Sequence, residues 1–313
     1  MSEPLRGFDP RPFPSDDPWL APRPERQRLL LPEGPFERYG RHVLLFLLTA
    51  LSVYMMGGPY LVAGLLSILF AHEMGHYVAC RIYRVDATLP YFLPAPFVSF
   101  VGTLGAFIRI RGPIPNRKAL FDIGVAGPLA GFLVCLPVLV LGTLEAAVIP
   151  DPGPNADGFI FFGDPLLVQW AYTWLRGDPG PGNTFVMGPL AEAAWFGLFV
   201  TALNLMPVGQ LDGGHVSHAL LGRRAIVVSR LALVGCLFLL YLRPTWLVWC
   251  LLLLMLGRRP HPPTLDESAP VGRARIAIGL FAALVFVICF TPSPIIVSWA
   301  DVRAALAELL TSR

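Results

Sequence analysis

Seven apolar segments govern what this chain can become. They fall near residues 42–57, 60–80, 123–149, 188–206, 225–242, 245–257 and 276–292. A helix needs about 20 apolar residues to cross a bilayer, and the second, third and fourth segments meet or approach that length. The sixth is short and pairs with the fifth as a tight hairpin around Arg243 and Pro244, entering and leaving on one side. Charged residues make up 14% of the 313-residue chain and hydrophobic ones 55%, against about 25% charged in soluble domains. The expected fold class is an all-α polytopic membrane protein, with about six to seven transmembrane helices and a small membrane-associated β-hairpin. A net charge of +3 gives no case for nucleic acid as a partner, and the lipid bilayer is the expected surrounding.

Three regions are expected. Residues 1–41 form a polar, Pro- and Arg-rich tail with no apolar run of signal-peptide type, and their acidic residues argue against a transit peptide. Residues 42–257 form the membrane core, and 258–313 a basic linker, an extra transmembrane helix and a C-terminal tail. Lys and Arg concentrate on cytosolic loops. The tail holds seven arginines, 81–122 holds Arg81, Arg84, Arg109, Arg111, Arg117 and Lys118, and 258–275 holds Arg258, Arg259, Arg273 and Arg275. The 150–187 loop has Arg176 against Asp151, Asp157, Asp164 and Asp178. The N-terminus is therefore expected in the cytosol and the 150–187 loop on the other side. Within 90–118, "PYFLPAPFVSFVGTLGAFIRIRGPIP" is aromatic and β-branched, with Pro and Gly breaks. It reads as two short strands joined near Gly102–Gly105, with Phe97, Val98, Phe100, Val101 and Gly102 as candidate substrate contacts. The five cysteines (Cys80, Cys135, Cys236, Cys250, Cys289) are odd in number and widely spaced, so they read as small buried hydrophobes rather than as a disulfide framework.

One segment breaks the apolar pattern. "SILFAHEMGHYVAC", Ser67–Cys80, carries His72, Glu73 and His76. A charged side chain in a bilayer core costs roughly 2.5–3.5 kcal/mol on insertion scales, so lone titratable groups are a poor explanation here. His72 and His76 lie one turn apart on one helix face and can reach one ion. Glu73 is displaced around the helix, placed to act on a water rather than on the metal. A catalytic zinc site takes three protein ligands and keeps one position open. The third is sought in "NLMPVGQLDGGHVSH", Asn204–His218, which follows the fourth apolar segment and ends at a compatible depth. Pro207 and Gly209 break the helix, and Gly213–Gly214 allow a sharp turn that points Asp212 back into the bundle. His215 and His218 are the rival ligands.

"HEMGH" in a membrane helix, followed by "NLMPVGQLDGG" after a later one, resembles the site-2 protease family of intramembrane zinc metalloproteases. Asn204, Pro207, Leu211, Asp212 and Gly213 match the family's N-x-x-P-x-x-x-L-D-G motif in register. "GVAGPLAG", Gly124–Gly131, looks like the family's glycine-rich third core helix, and the Pro-rich hairpin region resembles the subgroup without a PDZ domain. The resemblance spans about residues 40–257. It implies one Zn2+ held by His72, His76 and Asp212, with Glu73 as general base and Asn204 positioning substrate or stabilising an oxyanion. Gly127 and Gly131 would let a neighbouring helix approach the catalytic one.

The expected function is zinc-dependent hydrolysis of a peptide bond within or near the transmembrane segment of a membrane protein. An intramembrane metal transporter or sensor is the alternative, and an inactive protease-like scaffold a third reading. The expected location is a bacterial inner membrane, with the site toward the cytosolic side.

Overall fold

The computed structural model describes residues 35–153, 161–257, 264–268, 270–297 and 301. Most of the expected polar tail, Asp157, Arg258, Arg259 and most of the C-terminal tail lie outside the described residues. The chain divides into residues 1–41 and a unit from His42 onward, and apart from the first residues of helix α1 the features below belong to the second.

Helix α1, Pro35–Ile82, joins the first two apolar segments. A straight helix of 48 residues would run to about 72 Å, more than twice the hydrocarbon core. It breaks instead at Gly57–Gly58, where Gly58 takes φ +74° ahead of Pro59. Proline supplies no N–H and disfavours helical backbone in the residue before it, and glycine accepts the positive φ. Helix α2, Arg117–Glu145, starts where the Asn116 side chain accepts the Ala119 N–H at 3.0 Å. It lies at the centre of the bundle, packed by α4 (Pro189–Leu205) and α5 (Asp212–Leu221). The main core gathers Leu120, Phe121 and Cys135 of α2 with Trp195, Leu198 and Phe199 of α4.

Helices α6 (Ala225–Leu242) and α7 (Trp246–Gly257) turn back on each other at Arg243–Pro244, as their hairpin reading expects. Large apolar side chains on their outer faces, such as Leu231, Val234, Phe238, Val248 and Met255, stay exposed. A water-facing surface would not leave so broad an apolar face uncovered, and lipid covers it at no cost. Helix α8, Arg273–Cys289, packs against α4 and α2. Arg275 at its start grips Asp122 of α2 with two charge-assisted bonds, Nε to Oδ1 at 2.8 Å and Nη2 to Oδ2 at 2.7 Å, and Tyr83 donates to the same carboxylate. The final apolar segment, outside the motif resemblance, is thus tied to the bundle.

Two small sheets complete the fold. Strand β1, Tyr91–Pro94, pairs antiparallel with β2, Thr103–Phe107, and Tyr91 stacks on Phe107 with ring centroids 5.5 Å apart. The Ser52 hydroxyl donates to the Gly102 carbonyl at 2.5 Å and anchors the hairpin on α1. Strands β3 (Ala147–Pro150) and β4 (Asn183–Val186) form the second hairpin-like pair, with helix α3 (Leu166–Leu175) between them in sequence. Arg176 donates to the carbonyls of Thr143, Leu144 and Ala146 and so closes the C-terminal end of α2. A cavity of about 420 Å³ in this region is lined by Asp164, Tyr172, Phe185 and Glu192, and burial pushes the Asp164 carboxyl up to about 6.

Several expectations change. Among the described residues, three helical stretches are long and apolar enough to cross a membrane: Tyr39–Ile82, Arg117–Glu145 and Asp212–Leu242, with Pro189–Leu205 and Trp246–Met255 shorter. Seven apolar runs do not become seven long helices because α1 absorbs two of them and α7, at about 18 Å, is too short to span alone. The fold is mostly helical rather than helical with one hairpin, since the β3–β4 pair also forms. The β1–β2 turn occupies residues 95–102 and not Gly102–Gly105. Phe97, Val98 and Phe100 therefore sit exposed in the turn, while Val101 is buried and Gly102 lies at the entry to β2.

Candidate metal centre

Helix α1 carries His72, Glu73 and His76 in its second half, where they are only 4%, 6% and 7% exposed. The i, i+4 spacing stacks the two imidazoles on one face, and their Nε2 atoms lie 3.2 Å apart. His76 Nδ1 is 2.7 Å from the Ile123 carbonyl. A carbonyl only accepts, so Nδ1 carries the proton and Nε2 presents its lone pair inward. Ile123 follows Asp122, which the Arg275–Tyr83 clamp fixes, so the support of His76 extends to α8.

Asp212 closes the triangle from a helix 136 positions further along the chain. It is the first residue of α5, and its Oδ2 lies 3.3 Å from His72 Nε2 and 3.2 Å from His76 Nε2. The reversal before it is made by Gly209, at φ +53°. Gly213 and Gly214 lie inside α5 and do not form the expected turn. A side chain on Gly213 would run into the Leu205 carbonyl, and one on Gly214 into the Gly209 carbonyl, so these glycines let the helix start press against the loop.

The small residues of α2 explain why such close approach is possible. Gly124, Gly127 and Gly131 form a stripe at helical spacing. An added Cβ on Gly124 would come within 2.9 Å of His215 Cβ, one on Gly127 would strike the His76 ring, and one on Gly131 would come within 3.1 Å of His72 Cβ. Gly127 and Gly131, expected to admit a neighbouring helix, lie directly against the two histidines.

The geometry fits a single tetrahedral ion. Zinc ligands at about 2.0–2.1 Å and tetrahedral angles lie about 3.3 Å apart, and the three inward atoms are separated by 3.2, 3.3 and 3.2 Å. Among the described residues, His72, His76 and Asp212 are the group whose ligand atoms converge in this way. Two imidazoles and one carboxylate form a donor set that suits zinc. Glu73 faces the same cluster electrostatically, and the backbone of Ile108, the residue after β2, lies beside its carboxylate. Asn204, in the last turn of α4, brings its Nδ2 within 3.3 Å of His72 Nε2.

The rival ligands are elsewhere. His215 packs over Gly124, and His218 Nε2 lies 3.7 Å from Glu267 Oε1. Sequence reasoning missed the Ile123 carbonyl, the Ile108 backbone and the Asp122–Arg275–Tyr83 clamp. Backbone groups leave no trace in residue type, but an aspartate and an arginine opening two apolar helices were a readable pair.

Gly127→Ala is expected to push the His76 ring out of line and weaken metal binding about 10- to 100-fold, the scale for disturbed ligand orientation. Metal content after equilibration with a chelating buffer measures it. Gly235→Ala, where an added Cβ meets nothing within 4 Å, should bind as the parent does.

The family model described as Peptidase family M50 matches residues 60–174 and 182–242, more than half of the chain. The chain is 32% identical over 233 residues to the probable zinc metalloprotease EGY1 of Arabidopsis thaliana, an alignment covering 73% of this chain and 42% of that protein. It is 31% identical over 246 residues to EGY2 of Oryza sativa subsp. indica, covering 72% and 42%, and 31% identical over 248 residues to EGY3 of the same plant, covering 74% and 42%. The chain thus spans about two-fifths of the length of the curated relatives it matches. All three are named as chloroplastic, so they lend no support to the expected bacterial inner membrane. The matched residues enclose both sequence motifs and the whole ligand triangle, and the chain belongs to peptidase family M50, the site-2 protease family its motifs resemble.

Proposed function

We propose that this chain is a zinc-dependent endopeptidase that hydrolyses a peptide bond within or near the transmembrane segment of a membrane protein. One observation carries the reading: three inward ligand atoms about one tetrahedral edge apart, with a buried glutamate beside them, inside an apolar bundle. The family membership and the names of its relatives support it. His72, His76 and Asp212 hold the ion. Zinc bound there acidifies water and polarises a peptide carbonyl.

The chain's own groups supply the rest. Glu73 takes the proton of the attacking water and delivers it to the leaving nitrogen. The Ile108 backbone beside it helps to aim the carboxylate. The Asn204 amide faces the same space and donates to the carbonyl oxygen as negative charge grows there. Burial of the cluster excludes bulk water and strengthens each of these interactions.

A transmembrane substrate hides its amides in helical hydrogen bonds and must be extended before cleavage. Among the described residues each strand of the two-stranded β1–β2 sheet pairs on one side only, which leaves edges that can take an added strand, and β2 runs directly into Ile108 and so toward Glu73. A proline scan across Thr103–Phe107 is expected to lower cleavage about three- to tenfold at positions whose N–H faces the free edge, one lost hydrogen bond each. Bound metal should be unchanged. Cleavage indifferent to every proline would remove the hairpin from the mechanism.

The distribution of Lys and Arg supports six or seven crossings with the N-terminus cytosolic and the site toward the cytosolic side. The function itself is tested with purified chain in proteoliposomes containing a transmembrane reporter. Cleavage should require zinc, stop on chelation and return on zinc addition. Zinc flux across the vesicle without cleavage would instead favour a transporter.

A further inference from the structure

The cysteines read from the sequence as isolated buried hydrophobes are not all isolated. Cys236 of α6 and Cys250 of α7 face each other across the helical hairpin, with their sulfurs 2.8 Å apart. Both are buried, and the Cys250 thiol also lies 3.1 Å from the Cys236 carbonyl. The turn at Arg243–Pro244 sets this register, placing the two residues at matching distances from the hairpin tip. A disulfide needs about 2.05 Å between sulfurs, so closure requires a shift of under about 1 Å.

The pair belongs to a cluster with Met206, Val208, Trp246 and Leu253. Met206 and Val208 lie in the loop between Asn204 and Asp212. The contact chain thus runs from the cysteines to the segment that presents the third ligand.

We propose that Cys236 and Cys250 are a modification site, closing to an intramolecular disulfide under a small uncharged hydroperoxide and stiffening the 206–211 loop. Burial excludes bulky disulfide reagents but admits such an oxidant. One cysteine sulfur attacks the O–O bond, and its proton leaves with the departing hydroxide as water. The resulting sulfenic sulfur is attacked by the second thiol, the S–S bond forms and a second water leaves. Two thiols are oxidised and one peroxide is reduced, so the step balances.

The test uses the full chain in nanodiscs, treated with hydrogen peroxide, then denatured and labelled with a mass-shifting maleimide. The reduced chain carries five thiols. Oxidation is expected to lower the label count from five to three, with dithiothreitol restoring five and peptide mapping joining Cys236 to Cys250. C236S and C250S should each label at four before and after peroxide. Amide hydrogen exchange in 206–211 should slow in the oxidised parent and not in the double serine variant. Five labels after oxidation, or loss of two labels from the double variant through the neighbouring Cys135 and Cys289, would overturn the site. Unchanged exchange in an oxidised chain would overturn its coupling to the loop.

Discussion

Glu73→Gln is expected to lower cleavage of a transmembrane reporter by roughly 10²–10⁴-fold, the span that a positioned acid–base group contributes. Zinc content should stay near that of the parent. The reasoning rests on what the substitution leaves in place. Glutamine has the shape of glutamate and fills the same space. His72, His76 and Asp212 make their mutual contacts without Glu73. What disappears is a group able to take and return a proton. Folding should not suffer either, because an uncharged amide is easier to bury in an apolar helix than a carboxylate. A variant that binds zinc normally, is no less stable and still cleaves at the parent rate would sink the role given to Glu73.

Much of the centre was legible because local spacing determined it. The i, i+4 histidines needed only a helix to converge, and the apolar run supplied the helix. The Gly127 and Gly131 spacing announced close packing, although not that the atoms above it would be imidazoles. The third ligand was harder, since Asp212, His215 and His218 occupy one short helix. Periodicity cannot choose between Asp212 and His215, because three positions on a helix put both on the face that meets Gly124 of α2. Family resemblance pointed to Asp212, whose Oδ2 is the oxygen that lies beside both imidazoles.

What stayed hidden depends on contacts between distant residues. Strands β3 and β4 are four residues each and more than 30 positions apart, too short to show an alternating pattern. The β1–β2 turn was misplaced because Gly102 and Gly105 both adopt positive φ. Only the first of them borders the turn, and the second bends a strand. The Cys236–Cys250 contact could not be seen in spacing alone: fourteen residues apart means nothing until the hairpin folds back.

Loss of zinc on His76→Ala and Asp212→Ala, with retention on His215→Ala, is the second large expected effect. Zinc sites in small domains carry roughly 10–16 kcal/mol of apparent binding free energy. One ligand's share corresponds to a fall in affinity on the order of 10²–10³-fold. The two losses should differ in their side effects. His76 is held by Ile123 and lies over Gly127, so its removal leaves a gap between α1 and α2. Asp212 opens α5, where a negative charge also favours the helix N-terminus by about 0.3–1 kcal/mol. Its alanine variant should therefore be less stable even in metal-free protein. Asp212→Asn separates the two contributions, keeping size and polarity at the helix start while removing the charged oxygen that faces both imidazoles. Competition against a fluorescent zinc chelator measures each affinity, and thermal unfolding of metal-free protein measures the helix contribution. If His215→Ala lost zinc while Asp212→Ala kept it, the ligand triangle would be wrong.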